Sequence, residues 1–292
     1  MKIGLFAPLS NPHHTPDYVR AVGVGAEERG FHSVWLGEHV VLFDEYASSY
    51  PYASDSRIPL GGESGLLEPL TALAFMAAET RRVRLGTGIC LVPQRNPVYT
   101  AKEIAALDYL SQGRVDFGVG VGWLREEFDA LGVPFAERGA RCREYLEVIR
   151  RLWCDPISQY DGAFYTLPPC RQYPKPVQSP HPPIYFGGES AAALARVADL
   201  GAGWFGFNVT PEAAAGHVAR LGECLAERGR SLDDIDVAVS PYTRVMDRDD
   251  LARYRDAGVD QVIVMVLSRT VDGLRVQLDK IAEQLIEPAR AL

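Results

Sequence analysis

Two ionisable side chains stand together where an apolar run stops. Ser33-Val34-Trp35-Leu36-Gly37 reads as a buried strand, and Glu38 and His39 follow it directly. An imidazole accepts, holds and gives up protons near neutral pH, and Glu38 beside it could bias its charge or contact a ligand. The plain alternative is a histidine that finishes a strand with one satisfied hydrogen bond. Neighbouring strand residues point to opposite faces, so both groups reach one site only if the strand breaks between them. The strand end supplies such a break.

Three glycine-rich stretches accompany the pair. In Gly86-Thr87-Gly88-Ile89-Cys90-Leu91-Val92-Pro93, glycines inside an apolar run mark a bulge, a close approach of ligand or backbone, or barrel-core packing. In Asp116-Phe117-Gly118-Val119-Gly120-Val121-Gly122-Trp123 every second residue is glycine. On a strand these face one side and leave a groove for a flat ring, or else a tight layer where only small residues fit. Trp123 is then a stacking wall or a buried anchor. Tyr185-Phe186-Gly187-Gly188-Glu189-Ser190 runs into the helical pattern Ala191–Leu200. It offers backbone N–H groups and a hydroxyl at the positive end of a helix dipole, which is either a phosphate cradle or an ordinary capped helix.

Other chemistries find less support. His13 and His14 share a polar first loop, without the spacing of a metal site, and no G-x-S-x-G elbow is present. Cys90, Cys142, Cys154, Cys170 and Cys224 are odd in number and scattered, so no disulfide framework or zinc site is expected, and Cys90 reads as a packed thiol. A net charge of −8 argues against nucleic acid and anionic membranes as partners. An anionic ligand therefore needs a local cluster of donors. The absence of a long apolar leader or span fits a cytoplasmic protein.

The elements that must position these groups alternate along the chain. Apolar runs at Lys2–Leu9, Ser33–Gly37, Val83–Leu91, Val115–Val121, Pro183–Gly187, Gly203–Phe207, Ile235–Pro241 and Gln261–Leu267 are each followed by a helical pattern. Cys142, Tyr145, Leu146, Ile149, Leu152 and Trp153 recur at helical steps, as do Val271, Leu274, Leu278, Ile281 and Leu285. Such βα units point to one α/β domain over 1–292, a (β/α)8 TIM barrel, with an open doubly wound sheet as the rival. No G-x-G-x-x-G follows the first strand to support that rival. Two connections exceed simple crossovers, at 40–68 with Tyr46, Tyr50 and Tyr52, and at 155–182 with its prolines. Both read as insertions covering a site at the barrel mouth.

These motifs resemble the bacterial luciferase-like superfamily of flavin- and deazaflavin-dependent barrel oxidoreductases. The resemblance covers nearly the whole chain. It rests on Trp35-Leu36-Gly37-Glu38-His39, Leu85-Gly86-Thr87-Gly88-Ile89, Arg95-Asn96-Pro97, Leu110-Ser111-Gln112-Gly113-Arg114, Phe117–Trp123 and Gly187-Gly188-Glu189-Ser190. Tyr46–Tyr52, Gly122-Trp123-Leu124 and Pro134–Gly139 are most similar to the actinobacterial branch of coenzyme F420-dependent oxidoreductases. The resemblance implies a ring site at the mouth, bounded by Gly88, Ile89, Gly120, Gly122 and Trp123, with a non-proline cis peptide at Gly88–Ile89. It implies phosphate anchoring by Gly187, Gly188, Glu189 and Ser190, catalysis by His39 with Glu38, and substrate under Tyr46, Tyr50 and Tyr52.

Two departures bear on the cofactor. Some FMN-using relatives carry an arginine where this chain has Val121, and hydride-transfer relatives acting on alcohols or sugars carry a glutamate where it has Trp123. The expectation is hydride transfer between F420 and a small organic substrate by a homodimer. FMN-dependent monooxygenation with a flavin reductase partner is the alternative, and a non-catalytic flavin-binding barrel the third reading.

Overall fold

Each apolar run becomes a strand parallel to its neighbours, because the helix after it returns the chain to the same end of the sheet. The computed structural model describes residues 1–12 and 14–290. Its strands are β1 (Lys2–Phe6), β2 (Ser33–Leu36), β3 (Arg84–Thr87), β4 (Cys90–Leu91), β5 (Val115–Gly120), β6 (Ser158–Asp161), β7 (Thr166–Cys170), β8 (Ile184–Gly187), β9 (Gly203–Phe207), β10 (Asp236–Ser240) and β11 (Gln261–Met265). All but the hairpin β6-β7 form one sheet in the order β3-β2-β1-β11-β10-β9-β8-β5-β4, closed by pairing of β3 with β5. β4 continues β3, so the ring has eight staves. The fold is the expected TIM barrel.

The helices around it are α1 (Pro16–Glu28), α2 (Pro69–Glu79), α3 (Pro97–Ser111), α4 (Arg125–Ala130), α5 (Arg138–Cys154), α6 (Ala191–Leu200), α7 (Pro211–Ala226), α8 (Arg248–Asp256) and α9 (Val271–Ile281). Four begin on a proline preceded by a side-chain cap: Thr15, Glu68, Asn96 and Thr210. Proline at the first helical position loses no hydrogen bond there and presets φ, which fixes where each chain reversal at the mouth ends. No described helix is long and apolar enough to cross a membrane.

The barrel interior is a packed core. At the strand starts lies a polar layer: Arg84 Nη2 meets Asp116 Oδ1 at 2.5 Å, Tyr185 Oη donates to Asp236 Oδ2 at 2.8 Å, and Trp35 Nε1 donates to Ser33 Oγ at 2.7 Å. Above it Trp35 stacks on Phe205 at 5.1 Å and meets the edge of Tyr185 at 5.2 Å, beside Ala238 and Ile263. Phe6, Ile89, Phe207 and Met265 complete this cluster. A filled interior leaves the C-terminal mouth as the place for a ligand.

The glycines of β5 make room for the neighbouring strand. From Gly86 to Cys90 the chain passes Asp116 to Val119 of β5, one residue more than its partner, which defines a bulge. The bulge leans on β5: a Cβ on Gly118 would strike the Thr87 carbonyl oxygen, and one on Gly120 the Ile89 Cδ1. Gly86 makes room for the Trp35 ring in the same way. The open groove expected along Gly118, Gly120 and Gly122 is therefore occupied at Gly118 and Gly120 by the bulge of the neighbouring strand, and Phe128 lies against Gly122. Gly122 lies beyond the strand with φ +81°.

The two long connections lie apart. Residues 40–68 link a strand to a helix and so sit at the mouth. Residues 155–182 link a helix to a strand, which puts their ends at the opposite face. There Asp108 of α3 accepts from Val177 N and Gln178 N at 2.7 and 3.1 Å, and Lys175 Nζ donates to Leu152 and Asp155 carbonyls at 2.6 and 2.8 Å. The hairpin β6-β7 lies along α5, where Glu144 accepts the main-chain N–H of Phe164 and Tyr165. This insertion packs on α3 and α5 and does not cover the mouth, correcting the expectation for it.

Gly118→Ala should destabilise the fold by about 1–3 kcal/mol, because the methyl meets backbone that cannot turn aside. Gly61→Ala, where nothing lies within 4 Å, should stay within about 0.5 kcal/mol of wild type. Urea denaturation of the two variants checks this.

Candidate active site

The mouth is organised around Glu127, on the short helix α4 just after the Gly122-Trp123 turn. Its side chain is 1% exposed. Oε2 accepts from His39 Nδ1 at 3.2 Å and Gln94 Nε2 at 3.1 Å, and Oε1 accepts from Val40 N at 2.6 Å and Val41 N at 3.4 Å. Burial raises the carboxyl pKa, but the hydrogen bonds and charge of His39, with Gln94 and Val40, outweigh it and hold the group below its ordinary value. An ionised carboxylate only accepts, so His39 Nδ1 carries a proton in this contact. Among the described residues Nε2 has no hydrogen-bond partner.

Glu38 does something else. It is buried, Oε2 accepts from Leu91 N at 2.5 Å, and Oε1 accepts from Arg95 Nε at 2.7 Å. Arg95 also pairs with Glu68 at 2.5 Å. Glu38 thus pins the chain just past the bulge, with partners different from those of His39. The expected Glu38–His39 partnership is replaced by Glu127–His39. Burial and the Glu38 charge push the Cys90 thiol well above its usual pKa, consistent with a packed thiol.

The tyrosines of the mouth loop close over Trp123. Its ring meets Tyr46 at 5.8 Å, Tyr50 at 5.1 Å and the His39 imidazole at 5.7 Å, all edge-on. Tyr50 is buried, and Tyr52 meets Phe207 at 5.0 Å. Tyr242 also lies 5.0 Å from Phe207. Beside Glu127, Glu126 holds the loop by accepting from Ala47 N at 2.6 Å and from Ser48 Oγ at 2.7 Å. Sequence reading missed Glu127, Gln94, Phe207 and Tyr242. The one available signal was the doubled Glu126-Glu127 directly after a strand-end Gly-Trp.

The segment after β8 is part cradle and part latch. Gly188 has φ +106°, which a side chain would strain. Ser190 caps α6, its Oγ accepting from Ala193 N at 3.2 Å, and keeps its own O–H proton to donate. The N–H groups of Ala191 and Ala192 have no partner among the described residues. Glu189 turns to the lid: Oε1 accepts from Phe207 N at 2.9 Å and Oε2 from Tyr52 Oη at 3.5 Å. Burial raises its carboxyl pKa above the ordinary value despite these bonds. The Gly88–Ile89 peptide is cis, and the Ile89 side chain lies over Gly120 and Gly187. His14 donates from Nδ1 to the Leu9 carbonyl at 3.1 Å, whereas His13 lies outside the described residues.

A TIM barrel with a clamped histidine under an aromatic lid at its C-terminal mouth defines an enzyme-like class of site. Residues 1–284 match the family described as luciferase-like monooxygenase, and the chain belongs to that family. An uncharacterized protein of Mycobacterium tuberculosis is 33% identical over 270 residues, covering 89% of this chain and 91% of that protein. The oxygenase component of flavin-dependent trigonelline monooxygenase from Acinetobacter baylyi is 31% identical over 162 residues, covering 55% of this chain and 39% of its own length. Among solved structures, monooxygenase RslO1 of Streptomyces bottropensis superposes with TM-score 0.82 at 24% identity, covering 98% of this chain and 99% of its own. Coenzyme F420-dependent tetrahydromethanopterin reductase of Methanopyrus kandleri does so with TM-score 0.75 at 20% identity, covering 98% of each chain. The fold thus has neighbours that use F420 and neighbours that are monooxygenases.

The groups at the mouth are consistent with a flavin or deazaflavin cofactor. Gln94 Oε1 is a buried acceptor with no partner among the described residues, although Nε2 of the same amide donates to Glu127. Gly188, the Ser190 hydroxyl and the N–H groups of Ala191 and Ala192, which have no partner among the described residues, form a set of donors at the start of α6. Phe207, Tyr242 and Ile89 supply apolar walls.

Glu127→Gln should lower stability at pH 7 by about 2–4 kcal/mol, since an amide cannot satisfy His39 and the two main-chain donors together. Because the Glu127 pKa lies below its ordinary value, its contribution is full above the usual carboxylate range and lost as pH falls through the lowered value. Urea midpoints of both proteins should therefore converge as pH drops below about 4.

Proposed function

We propose that the protein is an oxidoreductase that binds coenzyme F420 at the barrel mouth and transfers a hydride between its ring and a small organic substrate beneath the 40–68 loop. The observation that carries this reading is His39, fixed through Nδ1 by a buried, ionised Glu127 with Nε2 left for a ligand. A hydride added to or taken from an oxygen-bearing carbon requires one proton at that oxygen. His39 Nε2 is the group to hold and move it. Val121, in place of a phosphate-binding arginine, also favours the deazaflavin.

The cofactor, when bound, supplies the two-electron carrier. The chain does the rest. Glu127 Oε2 keeps the imidazole in one tautomer and stabilises its protonated form. Gly188 and Ser190 anchor the phosphate through N–H and O–H donors. Tyr46, Tyr50 and Tyr52 pack on Trp123 and Phe207 and exclude water from the reacting atoms.

The second reading is an FMN-dependent monooxygenase fed by a flavin reductase. The trigonelline monooxygenase relative supports it, as does the dry aromatic lid. Titration with oxidised F420 and with FMN, read by ring fluorescence, separates the two. Tight F420 and weak FMN binding is expected; the reverse, with oxygen-dependent turnover, would replace the hydride reading by the monooxygenase one. His39→Ala should lower turnover by about 10²–10⁴-fold at unchanged cofactor affinity. Unchanged turnover would remove His39 from the chemistry, and no turnover in wild type with any ring-binding substrate would favour a binding barrel.

A further inference from the structure

On the face opposite the mouth, the starts of β1 and β2 leave a cleft of about 310 Å³ that the reaction above does not use. Its walls come from the first residues of β1, the α1–β2 turn, Arg82 and Val83 ahead of β3, and the last helical turns of the chain. Those turns follow α9 as a π-helical segment, Ala282–Ile286, and then α10 (Glu287–Ala289). Such π segments recur at functional sites. The inner surface is apolar, made by the buried side chains of Ile3, Phe31, Val83 and Ile286. The volume stands at the lower end of ligand pockets, which run from about 300 to 1,000 Å³.

The polar part of the lining is mostly cationic, in a chain of net charge −8. Lys2, His32, Arg82 and Arg290 border the cleft, and Glu27 is the one acid among the described residues lining it. Glu27 is already committed. Its Oε2 accepts from the main-chain N–H of Arg81 at 2.8 Å, Arg82 at 2.5 Å and Val83 at 3.0 Å, and the Arg82 guanidinium comes no nearer to it than 4.0 Å. Lys2 pairs with Asp236 at 2.9 Å. Arg290 makes no ion pair among the described residues, and a Cβ on Gly30 would lie 3.4 Å from its Nη2, so its guanidinium reaches the α1–β2 turn. His32 is held by its main chain, N donating to the Ile3 carbonyl at 2.8 Å and the carbonyl accepting from Arg84 N at 3.0 Å. Its ring has no hydrogen-bond partner among the described residues. Burial, with the charges of Lys2 and Arg84 and against that of Asp236, lowers its pKa to about 4, so the imidazole is neutral at pH 7.

We propose that this cleft binds a small organic acid, its carboxylate held by Arg82, Arg290 and His32 and its apolar body laid on Ile3, Phe31, Val83 and Ile286. A guanidinium meets a carboxylate with two parallel N–H donors, and the unpartnered imidazole supplies one more. The apolar wall selects an organic acid over inorganic phosphate, which has no apolar surface to bury. The charged groups around His32 are Lys2, Arg84 and Asp236, with Glu27, Arg82 and Arg290 in the same cleft. A carboxylate added among them offsets the positive field and raises the imidazole pKa from about 4. Between the free and the raised value binding takes up a proton, so affinity rises as pH falls through that window.

The test follows the His32 imidazole by NMR, its signals assigned through His32→Gln, while benzoate, benzyl alcohol or inorganic phosphate is added to the full chain. Benzoate should shift the His32 signals saturably, raise the His32 pKa, and bind more tightly at pH 5 than at pH 7. Benzyl alcohol, with the same ring and no charge, should bind at least about tenfold more weakly. Arg82→Gln and Arg290→Gln should each weaken benzoate by about tenfold and leave the urea midpoint of the protein unchanged, since both side chains lie at the surface. No saturable shift of His32, an equal response to benzyl alcohol, wild-type affinity for benzoate in both variants, or phosphate binding as tight as that of benzoate would overturn the proposal. So would a benzoate shift confined to His39, which would put the acid at the mouth.

Discussion

A buried carboxylate with every acceptor position in use is the constraint on which the mouth depends. Glu127 ties together three parts of the chain distant in sequence: the end of β2 through His39, Val40 and Val41, the segment after β4 through Gln94, and its own helix after β5. An ionised group so dry is tolerated only when its hydrogen bonds replace those lost from water. The same bonds that make its burial bearable fix the orientation of the imidazole. Structural cost and functional precision are two consequences of one arrangement. Glu38 repeats the logic one residue earlier in the chain, where Arg95 and Leu91 N hold it and tie it to the segment after the bulge.

Packing explains why the site lies above the barrel and not inside it. Trp35, Phe205 and Tyr185 fill the middle, and the polar layer below them closes the other end. Gly86, Gly118 and Gly120 are small because Trp35, Thr87 and Ile89 need their space. Ile89 is pressed into place by these glycines and becomes a wall of the mouth. The lid then rests on Trp123 and Phe207, so the enclosure above the floor is aromatic on several sides.

The barrel was legible because eight apolar runs alternate with helical periods, and each run lies within a residue or a few of a strand. His39 was legible because a histidine ending a buried strand must emerge at the rim. Its partner was not: Glu127 lies 88 residues away, and only the folded ring brings the ends of β2 and β5 together. Glu38 misled through adjacency, since past the end of β2 the two neighbouring side chains take different partners, Arg95 and Leu91 N for Glu38 and Glu127 for His39. The glycines of β5 misled because their neighbour's bulge shows only in strand pairing. The face taken by residues 155–182 was in principle readable, since a helix-to-strand connection returns to the end away from the mouth.

Glu127 holds His39 with the proton on Nδ1, and among the described residues Nε2 has no hydrogen-bond partner. Nitrogen-15 NMR of the imidazole, in protein labelled on histidine and with His39 assigned by substitution, reads this arrangement. Neutral His39 should be the Nδ1–H tautomer, and Glu127→Gln should shift it toward the Nε2–H form or a mixture. A neutral ring protonated on Nε2 in the wild type, or a tautomer unchanged by Glu127→Gln, would mean that Glu127 does not set the proton on His39.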